Sequence, residues 1–187
     1  MPTLDEIARK YGTDKATDVH SYTITYDQLF APIREAHINL LEIGVYKGAS
    51  IRTWEEYFPN ARITGVEIEA CHDKFSSKTT IIKADALSAA EMVMVAYAEG
   101  PFDIVIDDAS HEHADQMAAF YTIFPKYMNP GGMYFIEDLY YPDDPTRRYF
   151  TEIFKVRDAA HIGADKVETY NSNMALLVVH KGKSPGV

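Results

Sequence analysis

The densest chemistry in the sequence is Asp107-Asp108-Ala109-Ser110-His111-Glu112-His113, joined further along by Glu137-Asp138. Each cluster directly follows a short apolar run, FDIVID and MYFIE, of the kind that forms a buried strand. If those strands are neighbours, the four strand-end carboxylates Asp107, Asp108, Glu137 and Asp138 and two imidazoles meet at one cleft. So many acids repel one another unless a cation neutralises them. Oxygen ligands suit Mg²⁺, Mn²⁺ or Ca²⁺ better than zinc. Against this stands a plainer reading, in which Asp108 or Ser110 caps the following helix. His113 either faces solvent or orients a ligand.

Three further strand ends carry polar signals. The first leads into Glu42-Ile43-Gly44-Val45-Tyr46-Lys47-Gly48-Ala49-Ser50, where Gly44 and Gly48 permit a tight turn and a close ligand approach. This is not the GxGxxG dinucleotide fingerprint. The second ends in Glu67, placed to accept from both hydroxyls of a ribose, and the third is followed by Asp85 beside the same cleft. Alone, each has a steric or solvation explanation; three in register point to a nucleoside-bearing ligand.

Strands are expected at Ile38–Ile43, Arg62–Glu67, Thr79–Lys83, Phe102–Asp107 and Met133–Glu137, with two more near Lys166–Tyr170 and Met174–His180. Helices are expected at Ser50–Tyr57, Ala70–Ser77, Ala89–Glu99, Asp115–Tyr127 and Arg147–Ala159. The alternation predicts an α/β fold, a doubly wound, Rossmann-like, seven-stranded sheet that is mostly parallel with an antiparallel last strand. Residues 1–187 read as one domain, with 1–35 as an N-terminal helical cap at the open end of the sheet. Trp54 has the spacing of a core residue.

A net charge of −10 disfavours a nucleic-acid partner, which needs a basic face. No run is apolar enough to span a membrane and no signal peptide is evident. The lone Cys71 excludes an internal disulfide or a cysteine-rich zinc site, in keeping with a cytoplasmic protein. A homodimer is the prior for such a chain.

The glycine loop LLEIGVYKGAS, the acid Glu67 and the acid Asp85 resemble the class I S-adenosylmethionine-dependent methyltransferases. Adding Tyr11-Gly12-Thr13-Asp14-Lys15, His20-Ser21-Tyr22, IDDASH and IEDL narrows the likeness. Together they resemble the metal-dependent sugar O-methyltransferases of mycinamicin and macrocin type, and a group of rhamnosyl O-methyltransferases. The resemblance implies S-adenosylmethionine and Mg²⁺ (or Mn²⁺) as cofactors and a small glycoside or diol as substrate. It implies Asp108, Glu137 and Asp138 as metal ligands and His111 as general base. Its implied cofactor residues are Thr13, Tyr22, Glu42, Gly44, Gly48, Ser50, Glu67, Asp85 and Asp107. Tyr140 and Tyr141 are candidates to stack on a sugar face. Members of that group carry an additional N-terminal domain for which this chain has little room, so their lids and assembly contacts do not transfer. Three competing readings are a catechol as the acceptor, a metal-dependent hydrolase, and a non-catalytic cofactor-binding module.

Overall fold

The computed structural model describes residues 1–71, 73–139, 144–154, 163–171 and 175–183. Helices α1 (Leu4–Tyr11) and α2 (Tyr22–Phe30) precede strand β1 (Asn39–Ile43). Then follow α3 (Ala49–Tyr57), β2 (Arg62–Glu67), β3 (Thr79–Lys83), α4 (Ala89–Glu99), β4 (Phe102–Asp107), α5 (His113–Tyr127) and β5 (Met128–Leu139). A short helix α6 (Pro145–Arg148) runs into a π-helical stretch at Tyr149–Phe154, and β6 (Ala164–Asn171) and β7 (Ala175–Lys181) complete the sheet.

The seven strands are ordered β3-β2-β1-β4-β5-β7-β6. All neighbours from β3 to β5 are parallel, whereas β7 runs antiparallel to both β5 and β6. The expected Rossmann-like arrangement is therefore the observed one. Register aligns the strand tips: Ile43 pairs with Val66 and with Asp107, and Asp107 pairs with Ile136. Gly44, Glu67, Asp108 and Glu137, each one residue further on, consequently stand side by side.

Two apolar layers cover the sheet. One joins Leu41, Ile43, Val105 and Ile136 to Met92, Val95, Phe120 and Phe124 of α4 and α5. The other joins Leu40, Ile63, Ile106 and Phe135 to Leu4, Ile7, Tyr22, Tyr26, Phe30 and Trp54 of α1, α2 and α3. The N-terminal helices thus lie over a face of the sheet beside α3, not at its open end. The apolar stripe that decides this centres on Tyr26 and Phe30, whose rings sit 4.9 and 5.3 Å from that of Phe135. Trp54 is fully buried, as its spacing predicts.

Residues 70–77 do not form the expected helix where they are described. Side-chain ties hold the described ones in an irregular course: Arg52 pairs with Asp73 at 3.3 Å, and Glu55 accepts from the Ser76 backbone at 2.8 Å. A helix of that length has little stability of its own to oppose them. The expected helix beyond Phe154, and Tyr140 and Tyr141, lie outside the described residues.

Candidate active site

Strand periodicity sorts the acids. Because side chains alternate across a strand, Glu42 and Glu137 point to the layer of α1–α3, while Asp107 points to the layer of α4 and α5. Asp107 is buried there, accepts from the Tyr134 hydroxyl at 3.2 Å, and is pushed by burial up to about 7. Glu42 is fully buried and accepts from the Trp54 indole N–H at 3.2 Å. Burial pushes its carboxyl up to about 7 even against the pull of Lys15.

Lys15 is the residue that sequence reasoning missed. Gly12 ends α1 in a left-handed turn (φ 73°), which sends Thr13–Lys15 back over the strand tips. The Lys15 ammonium is buried, 2.5 Å from Asp108 Oδ2 and 2.7 Å from Glu137 Oε2. Glu42 Oε1 is 3.8 Å away. Burial works against the lysine's charge, but Asp108, Glu137 and Glu42 outweigh it and hold the ammonium protonated. The other oxygen of Glu137 accepts from the Tyr26 hydroxyl. Three acids at one point demand a counter-charge, and that demand was the available signal for a buried lysine.

Two more side chains complete this end. Asp138 Oδ1 accepts from the Tyr22 hydroxyl at 2.7 Å, while Tyr22 accepts in turn from the Asp138 backbone N–H at 3.1 Å. His111 Nε2 lies 3.7 Å from Asp138 Oδ2, and its Nδ1 is buried with no hydrogen-bond partner. Donor atoms of Asp108, His111 and Asp138 all fall within 4.8 Å of one another. An oxygen-rich set with one imidazole fits a hard divalent cation. Tyr46, His111 and Asp138 hold left-handed backbone (φ 50°, 60° and 56°), a conformation costly for side chains with a Cβ.

A cavity of about 790 Å³ opens beside this centre. Its wall takes Thr13 and Lys15 from the N-terminal turn, Gly44 and Ser50 from the loop after β1, and then Glu67, Asp85 and Asp108 from the next strand tips. In the sheet order these tips run β3, β2, β1, β4, so the cavity reaches from Asp85 past Glu67 to Asp108. Its size suits a nucleoside-bearing ligand. Gly44 (φ 93°) is required, since a Cβ there would sit 2.2 Å from the Asp108 carbonyl oxygen.

No protein-family model matches the chain. It is 37% identical over 177 residues to the 8-demethyl-8-α-L-rhamnosyl tetracenomycin-C 2'-O-methyltransferase of Streptomyces olivaceus, covering 86% of this chain and 46% of that one. It is also 37% identical over 146 residues to the mycinamicin VI 2''-O-methyltransferase of Micromonospora griseorubida, covering 74% and 36%. The chain thus spans under half the length of either relative. The solved structure of the MycE methyltransferase of the mycinamycin pathway, in complex with Mg, SAH and mycinamycin VI, superposes with a TM-score of 0.84 at 29% identity. That match covers 100% of this chain and 57% of the MycE chain. This chain has the class I methyltransferase fold and is a homologue of the sugar O-methyltransferases.

Within the methyltransferase fold, the expected cofactor residues separate into two groups. Thr13, Gly44, Ser50, Glu67 and Asp85 border the cavity. Tyr22, Glu42, Gly48 and Asp107 do not: Tyr22, Glu42 and Asp107 are turned to Asp138, Trp54 and Tyr134, and the Phe75 ring fills the space where a Cβ on Gly48 would lie. Glu67 itself accepts from the Val45 and Tyr46 backbone N–H groups at 3.0 and 2.6 Å. Of the expected metal ligands, Asp108 and Asp138 converge with His111, whereas Glu137 faces Lys15 and Tyr26. His113 Nδ1 lies 2.8 Å from the Thr146 hydroxyl, which donates to Gln116, which donates to the Glu137 carbonyl. His113 therefore braces the tip of β5.

Proposed function

We propose that this chain is a Mg²⁺-dependent O-methyltransferase that moves the methyl group of S-adenosylmethionine to a hydroxyl of a sugar or glycoside. One observation carries the reading: the cavity bounded by Glu67 and Asp85 ends at Asp108, a member of the Asp108–His111–Asp138 group. The names of the rhamnosyl tetracenomycin and mycinamicin relatives, and the Mg and SAH in the MycE complex, support it.

In this reading S-adenosylmethionine would supply an electrophilic methyl, and a bound divalent ion would lower the pKa of the acceptor hydroxyl from that of an alcohol toward neutrality. Glu67 accepts from the ribose hydroxyls and Asp85 from the adenine amino group. Gly44 lets the loop lie against the methionine portion. Asp108 and Asp138 hold the ion, with Glu137 anchored behind them as the third acid. His111 takes the hydroxyl proton at Nε2, since Nδ1 is buried. The new oxygen–carbon bond forms as the sulfur–carbon bond breaks, and positioning supplies much of the rate.

Among the described residues no helix is long and apolar enough to cross a membrane, and with the lone cysteine this supports action in the cytoplasm. A chelator is expected to abolish methylation of a rhamnoside and added Mg²⁺ to restore it. Activity undiminished in chelator refutes the metal role. A catechol tested alongside decides the acceptor class, and calorimetry with S-adenosylhomocysteine separates a methyltransferase from a hydrolase. His111→Ala is expected to bind S-adenosylhomocysteine normally while losing at least about a hundredfold in turnover.

A further inference from the structure

Lys15 belongs to the acidic centre, yet the methyl transfer described above gives it no task. Its side chain is 1% exposed. Its ammonium lies 2.5 Å from Asp108, 2.7 Å from Glu137 and 3.8 Å from Glu42. These carboxylates come from β4, β5 and β1, three adjacent strands, and close around the nitrogen as they would around a metal ion. Glu42 Oε1 is buried with no hydrogen-bond partner, so it meets the ammonium through charge alone. Asp108 is shared between two groups: it bonds Lys15 and also stands with His111 and Asp138. A carboxylate serving two cation positions is the plan of two-metal sites, whose ions lie about 3.5–4 Å apart.

We propose that the Lys15 ammonium is a permanent cation of this centre, filling the position between Glu42, Asp108 and Glu137 that a second divalent ion would otherwise take. For the identity of the first position the inference rests on the proposed role of Asp108 and Asp138 as metal ligands. The lysine holds Asp108 and Glu137 together from folding onward, and the chain takes its divalent ion only on the side of Asp108, His111 and Asp138.

The test is Mn²⁺ stoichiometry on the metal-stripped chain, followed by electron paramagnetic resonance. Lys15→Met, neutral and of similar length, is expected to bind one more Mn²⁺ per chain than the wild type. Adding Glu137→Gln to that variant is expected to remove the extra ion. An unchanged count in Lys15→Met, a count unaffected by the second substitution, or two ions in the wild type overturns the proposal. A wild type that binds none while Lys15→Met binds one upholds the lysine's role and instead sinks the metal reading of the function. Should Lys15→Met be unfolded without metal, Mn²⁺ is expected to restore its far-ultraviolet circular dichroism. An unfolded variant that Mn²⁺ fails to recover also counts against the proposal.

Discussion

Glu67 accepts backbone N–H groups from Val45 and Tyr46 on one oxygen and from Ile68 and Glu69 on the other. Its carboxylate therefore shapes the glycine loop as well as facing the cavity. Glu67→Ala is expected to weaken S-adenosylhomocysteine about 10- to 100-fold and to lower the melting temperature in the same variant. Calorimetry beside a thermal melt checks this, and unchanged affinity with a lowered melting temperature would leave Glu67 a loop brace only. The strand-tip acids were legible in the sequence because each ends an apolar run that must be a buried strand. Lys15 was not, because what buries it lies 93 and 122 residues away, at Asp108 and Glu137. Glu42, Asp107 and Tyr22 stand off the cavity wall for a related reason: which face of a strand or helix a polar side chain joins depends on the opposing layer.

Elements were read well where apolar runs are short and bounded, as in β1, β2, β3 and β4, and poorly where side-chain ties override the local pattern. The stretch after β2 is such a case, with Glu55 and Arg52 of α3 capturing Ser76 and Asp73. β5 begins at Met128, earlier than expected, because Gly131 and Gly132 continue the strand through a register shift instead of turning. The junction of β1 and α3 makes a sharp prediction. Gly44→Ala must place a Cβ against the Asp108 carbonyl in a left-handed backbone, so it should destabilise by about 2 kcal/mol or more and displace Asp108. Denaturant melts with a Mn²⁺ titration measure both effects. At the start of α1, Asp5 accepts from Arg9, Thr17 and Thr23, tying the helix to the turn that carries Lys15. Burial works against its charge, but those bonds prevail and hold it down to about 2, against an ordinary 3.8. Its contribution is thus present above about pH 4 and fades as pH falls toward 2. Asp5→Asn should cost about 1 kcal/mol near neutrality, with the gap to wild type closing in melts near pH 2.

Across the whole molecule, the layer built on Trp54, Tyr26 and Phe30 supports both the fold and the acids above it. Tyr26 packs against Phe30, Trp54 and Phe135 while its hydroxyl holds Glu137. Trp54→Phe should therefore loosen the centre as well as the core, lowering Mn²⁺ affinity together with unfolding free energy. A variant that loses stability but keeps its Mn²⁺ affinity would show the two to be independent. The three left-handed residues at the strand tips have a different consequence. Tyr46, His111 and Asp138 keep backbone shapes that asparagine or glycine would adopt with less effort. Swapping His111 for Asn is accordingly expected to leave a sturdier, idle protein, melting about 2–4 °C higher for each kcal/mol released. Selection for heat resistance alone, without an assay for turnover, would tend to erase the very positions that make this chain useful.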